Sequence, residues 1–205
     1  MGALLSSHRW LCAAVALAGS LAARPAAADP ASDEPRLWLG GGPAVLVVSR
    51  EGYENTVGPG LHLGARVPLN DQFQLVAGLD AGSFSLRRQA PNPCPDPPAP
   101  CEATDFPYRV ASATAGIGLR YVLDVTHVRP SFGATLTGAR LGAGDSWIQA
   151  LAGQRAIEQH LGVTLLGNVD YRLTGRLSVG LFVRWFMSRS LDMTAVGAQA
   201  EWAAF

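Results

Sequence analysis

Lysine is absent from this chain: all 16 basic residues are arginine, and they face 16 acids. Charged residues make up only 16% of the sequence. A nucleic-acid binder needs a basic surplus to displace phosphate counterions, and none exists here. Cysteine is scarce as well. Cys12, Cys94 and Cys101 are the whole set, without the neighbouring histidines or further thiols of a zinc site. No phosphate-cradling loop or dinucleotide fingerprint occurs, so no cofactor is expected. After the first 23 residues no segment reaches the ~18 apolar residues of a membrane-spanning helix. Yet mean hydropathy is positive, +0.16, high for a soluble exported domain. Some apolar surface is therefore expected to face lipid.

The chain opens as an export signal does. Met1 to Arg9 is short, carries His8 and Arg9, and has no acid. Trp10 to Ala23 is uncharged and mostly apolar, long enough for a signal and too short to span a bilayer. Arg24 ends the run, and Ala26-Ala27-Ala28 offers the small-x-small pattern of a cleavage site. The expected organisation is a removed signal over 1–28, a short linker over 29–35 and one domain over 36–205. Cys12 follows Trp10-Leu11 rather than a small residue, unlike a lipoprotein anchor. Cleavage leaves 14 arginines against 16 acids, a net charge of −2. It also leaves Cys94 and Cys101, separated by Pro-Asp-Pro-Pro-Ala-Pro. In an oxidising compartment a disulfide between them is favoured over a metal-binding thiol pair.

Period-2 alternation dominates what remains. Ala111, Ala113, Ala115, Ile117, Leu119, Tyr121 and Leu123 alternate with Ser112, Thr114, Gly116, Gly118 and Arg120. Phe132, Ala134 and Leu136 continue the pattern. Leu161 to Tyr171 does so against His160, Gly162, Thr164, Asn168, Asp170 and Arg172. Leu177 to Met187 is the cleanest run, with Phe182, Arg184 and Phe186 on its second face. Leu61 to Leu69 and Phe73 to Asp80 alternate less regularly. Two poorly alternating segments, Leu37 to Ser49 and Asp192 to Phe205, complete eight candidate strands.

The second face is mostly Gly, Ser and Thr with isolated charges, not the Lys- and Glu-rich face of a soluble sheet. Small residues suit the crowded interior of a narrow barrel, which places the apolar face outward. The connections alternate in length. Long stretches at Glu51–Gly58, Ala90–Pro107 and Gly142–Arg155 take turns with short ones at Asn70-Asp71, Asp124–His127 and Thr174-Gly175. Bacterial transmembrane barrels sort their loops this way, with short periplasmic turns and long outer loops. The last connection, Ser188–Asp192, is shorter than the scheme expects. With the termini periplasmic, Trp38, Phe73, Tyr121, Tyr171 and Trp202 fall near the inner rim. Tyr108 and Trp185 fall near the outer one, at depths that amphipathic rings prefer.

With a signal, eight strands, parity-sorted loops and a terminal Phe205, the chain resembles the small outer-membrane barrels. These are the OmpA-like transmembrane domain, OmpX-like and OmpW-like proteins. The resemblance implies an all-β, eight-stranded, antiparallel, up-and-down transmembrane barrel in the outer membrane of a Gram-negative cell. It also implies that Phe205 is part of the signal read by the barrel-assembly machinery. Glu201 departs from the alternate apolar residues that precede such a terminal Phe.

Arg66, Asp80, Arg120, Asp170, Arg184 and Glu201 fall on the lumen side. Paired, they form a structural network; unpaired, they line a path for ions. His62, His127 and His160 assemble no hydrolytic site in the sequence, and the chain is not expected to be an enzyme. Three functions stand open. The first is a surface barrel whose loops contact an extracellular partner. The second is a narrow, porin-like channel or a conduit for apolar ligands, as an OmpW-like resemblance implies. The third is a soluble, lipocalin-like periplasmic barrel, which requires the apolar face inside.

Overall fold

The computed structural model describes residues 37–87, 108–123, 127–144, 148 and 156–204. These form eight strands: β1 (Trp38–Arg50), β2 (Thr56–Pro68), β3 (Phe73–Leu86), β4 (Tyr108–Val122), β5 (Val128–Ala143), β6 (Ala156–Arg172), β7 (Leu177–Met187) and β8 (Leu191–Ala203). Each pairs antiparallel with its neighbours in sequence, and β8 returns to β1, closing a barrel. The first and last described residues meet at one rim, where the Ala204 amide donates to the Leu37 carbonyl. That rim is called the lower end below.

Register fixes the barrel's girth. Paired residues followed once round from Trp38 are Arg66, Val76, Gly118, Thr135, Thr164, Phe186, Met193 and finally Val48. The circuit closes at residue 48 of the strand it left at residue 38, a shear of ten. Eight strands with that stagger tilt strongly and leave an interior just wide enough for side chains.

The apolar face points outward. Leu161 is 73% exposed and Leu181 67%, in company with Leu63, Leu119, Leu136, Val169 and Val183. An apolar band of this extent is unstable in water and suited to lipid. At its lower edge Phe73, Tyr121 and Phe132 stack in a ribbon, with ring centroids 5.2 and 5.4 Å apart. Trp202 and Tyr171 extend it. Trp38 has the expected depth but the opposite orientation: it is buried, with the Arg66 guanidinium 4.5 Å from its ring centroid.

Several strands run beyond the alternation that marked them. β2 begins at Thr56, so the first upper connection shrinks to 51–55, and β5 runs on from Thr137 to Ala143. The length contrast between the two ends therefore rests on 87–107 and 144–155. The other two upper connections are as tight as the lower turns. Two lower turns share one chemistry. Asn70 Oδ1 accepts from the amides of Gln72 and Phe73, and Thr174 Oγ1 accepts from those of Arg176 and Leu177. Short polar side chains that mimic a backbone turn are suited to this.

In β8 the outward residues are Val196, Ala198, Ala200 and Trp202, while Glu201 faces the lumen. This corrects the alternation set by the terminal Phe: the outward set has the opposite parity, and Glu201 is no exception within it. Phe205 itself lies outside the described residues, as do Cys94, Cys101 and the 1–28 segment.

Replacing Leu165, midway along the outward face of β6, with Arg should destabilise the barrel in vesicles by about 2–4 kcal/mol if this face is in lipid. Denaturant titration in vesicles of defined composition measures the loss; an unchanged midpoint would contradict the outward-to-lipid orientation.

Candidate functional site

Among the described residues the lumen gathers the chemistry, because every second residue of eight strands points into it. It divides into two tiers of opposite character.

The lower tier is charged. Arg66 reaches Glu201 at 2.6 Å. Gln74 Oε1 accepts from Arg120 Nε at 3.1 Å and from its terminal nitrogen at 2.7 Å. Arg120 stands 3.7 Å from Asp170, which also accepts from Gln199 at 2.9 Å. Ser178 donates to Glu201, and Gln199 reaches the same carboxylate. Arg129 is opposite Asp170 in the β5–β6 register.

At mid-height Asp80 is the hub. His62 Nδ1 is 2.8 Å from one of its oxygens; Thr114 donates to the other, and Arg184 stands 3.7 Å away. The His62 ring packs on Phe182 at 4.9 Å between centroids. Thr164 donates to Thr137, which pairs with Thr135 at 2.9 Å. The glycines are needed here: a Cβ at Gly78 would collide with the Arg184 guanidinium, and one at Gly197 with the Phe182 ring.

The upper tier is apolar. Val48, Phe84, Leu86, Val110, Ala139, Leu141, Phe186, Leu191 and Met193 form one buried cluster, with Val48 and Val110 0% exposed. Tyr53 packs against it from the β1–β2 connection. Above it, Glu158 of β6 accepts from Arg50 of β1 and contacts His160. These strands are not neighbours, so the Arg50–Glu158 pair crosses the mouth.

Small cavities lie in the lumen. One, about 20 Å³, lies between His62, Arg66, Arg120, Asn168, Arg184 and Glu201. Another, about 10 Å³, lies between Asp80, Thr114, Thr135, Thr137, Thr164 and Arg184. Each has room for a water molecule and little more.

All six lumen charges expected from the sequence thus face inward, in two groups. Arg66, Arg120, Asp170 and Glu201 share the lower network; Asp80 and Arg184 meet above it. His62 lies at mid-height and is 2% exposed. Three further members are Gln74, Arg129 and Gln199. Arg129 belongs to the part of β5 that precedes clear alternation. Gln199 belongs to the poorly patterned last strand, and Gln74 is uncharged. Of the apolar upper tier the sequence placed only Phe186 on the inner face; the other members occupy a face that elsewhere is small and polar.

No protein-family model matches the sequence, and no curated protein matches it. Solved structures do match in fold. Neisserial surface protein A shares 16% identity, with 82% of this chain and 96% of that one covered and a TM-score of 0.57. OprG of Pseudomonas aeruginosa shares 10%, with 83% and 97% covered and a TM-score of 0.57. Ail of Yersinia pestis, solved with the heparin analogue sucrose octasulfate, shares 8%, with 82% and 98% covered and a TM-score of 0.53. The fold is that of the small eight-stranded outer-membrane barrels.

Replacing Arg120 with Leu strands the Asp170 carboxylate and the Gln74 amide in a closed space. Removing one partner of a buried pair costs about 3–5 kcal/mol. The expected result is a matching loss in unfolding free energy, partly recovered in the Arg120→Leu/Asp170→Asn double variant. Wild-type stability in the single variant would mean that Arg120 is solvated.

Proposed function

We propose that the protein is a non-enzymatic outer-membrane barrel that acts as a closed anchor for its extracellular connections. The filled lumen carries this reading. Water-sized cavities lie below an apolar tier packed to near-zero exposure, which disfavours a path for ions or an apolar ligand through the interior. A lipocalin-like ligand site is disfavoured on the same ground, and by the outward apolar band. What is left for recognition is the upper end, with connections 87–107 and 144–155.

On this reading residues 1–28 are the cleaved signal, 29–35 a linker and 36–205 the barrel. Phe205 is read by the barrel-assembly machinery during insertion. Cys94 and Cys101 form a disulfide in the longest upper connection, shortening its reach and limiting the shapes it presents.

Three measurements test the proposal. The protein should appear in the outer-membrane fraction and migrate differently on gels with and without boiling; a soluble protein with one mobility would end the membrane reading. Purified barrel in planar bilayers should give no stable conductance steps, whereas steady wild-type steps would favour the channel. Without reductant, thiol alkylation of denatured mature protein should label neither Cys94 nor Cys101, and with reductant it should label both.

A further inference from the structure

The cavity of about 20 Å³ in the lower lumen is lined by an uneven set of charges. Its wall carries three guanidinium groups, from Arg66 of β2, Arg120 of β4 and Arg184 of β7, against one carboxylate, Glu201 of β8. No two of the three arginine-bearing strands are neighbours, so the guanidinium groups converge from across the barrel. His62 and Asn168 are the other polar side chains of the wall.

We propose that this cavity is a binding site for a single monatomic anion, chloride in ordinary media, held between Arg66, Arg120 and Arg184.

Three observations support it. First, the carboxylates that could neutralise the wall are engaged elsewhere. Glu201 accepts from Arg66 at 2.6 Å, and also from Ser178 and Gln199. Asp170 and Asp80 are not part of the wall. Asp170 stands 3.7 Å from Arg120 and takes its hydrogen bond from Gln199. Asp80 stands 3.7 Å from Arg184 and is bonded to His62 and Thr114. Guanidinium groups do not lose their proton in proteins, and like charges in a closed space repel one another more strongly than in water. An anion between them offsets that cost.

Second, donors are left over. Arg66 is 4% exposed, and its Nε makes no hydrogen bond, although its terminal nitrogens reach Gln74 and Glu201. Arg184 Nε is likewise buried and without a hydrogen-bond partner. Buried N–H groups are ordinarily satisfied. A water molecule would take up a donor and leave the charge; a halide takes up both.

Third, size selects among anions. The cavity holds little more than one water, which admits a bare halide and excludes phosphate, sulfate or a carboxylate. Val76 and Leu166 close part of the wall with hydrocarbon. An ion there is stripped of most of its hydration shell, in a setting where charge-assisted hydrogen bonds are strong.

The test is thermal unfolding of the purified barrel in neutral-detergent micelles, read by gel mobility. Sodium chloride replaces sodium gluconate from a chloride-free start at constant ionic strength. Surface screening then stays constant, and gluconate is too large for the cavity. The wild-type unfolding constant should fall as chloride rises, approaching tenfold per tenfold in chloride above the dissociation constant, as one bound ion requires. R184Q should lose most of this dependence, and R176Q, in an exposed lower turn, should keep it. The same wild-type constant in both salts, or equal chloride dependence in R184Q and wild type, would overturn the proposal. If R184Q does not fold, wild-type crystals soaked in sodium bromide decide the question. An anomalous peak between Arg66, Arg120 and Arg184 supports the site, and a cavity without one overturns it.

Discussion

In hydrocarbon a backbone N–H or C=O has no water to turn to, and each one left unpaired costs several kcal/mol. The seam between β1 and β8 therefore supports everything else. It pairs Trp38 with Ala203 at the lower end and Arg50 with Leu191 at the upper, so the sheet has no free edge. Once the seam closes at a shear of ten, the girth is fixed and the lumen is narrow. Each inward side chain must then fit beside seven other strands' worth of neighbours. The glycines at positions 78 and 197 are concessions to that geometry, since they leave room for Arg184 and Phe182.

The two tiers fill this space by different physics. In the lower tier ion pairs and amide hydrogen bonds hold the charges, although Arg66 Nε and Ser131 Oγ are left without a hydrogen bond, an arrangement no more stabilising than well-packed hydrocarbon would be. In the upper tier hydrocarbon is what the barrel uses, and nine side chains exclude water below the mouth. The Arg50–Glu158 pair crosses above them.

The strands were legible wherever outward and inward residues differed in size as well as polarity, as in Leu177–Met187, whose bounds agree with β7. They were less legible where the lumen itself turned apolar. In the upper half of β1 inward Leu46 and Val48 neighbour outward Val45 and Val47, and the pattern vanishes into a uniform apolar run. At the start of β8 the pattern inverts instead: Leu191 and Met193 point inward and alternate with outward Asp192 and Thr194. Charges were easier. A lone Arg or Asp among apolar and small residues has only one face to choose, so the inward orientation of Arg120 and Asp170 followed from parity. Their partners did not, because which strand is opposite which at a given height depends on the shear, and no single strand encodes it. Trp38 shows the converse: its depth followed from its place in the chain, but its orientation depended on Arg66, a strand away.

The lumen charges also bear on how the barrel reaches its final form. Side chains alternate with a period of two, so sliding β6 by one residue against β5 would turn Asp170 and His160 into the bilayer and Leu165 into the lumen. The same slip in β4 would expose Arg120 to hydrocarbon, and in β7 Arg184. Each error places an ionised group where it is most costly, and correcting any one requires a shift by an odd number of residues. The charged network thus acts as a proofreading code for strand alignment. It contributes little to the depth of the correct state, and it raises the nearest incorrect ones.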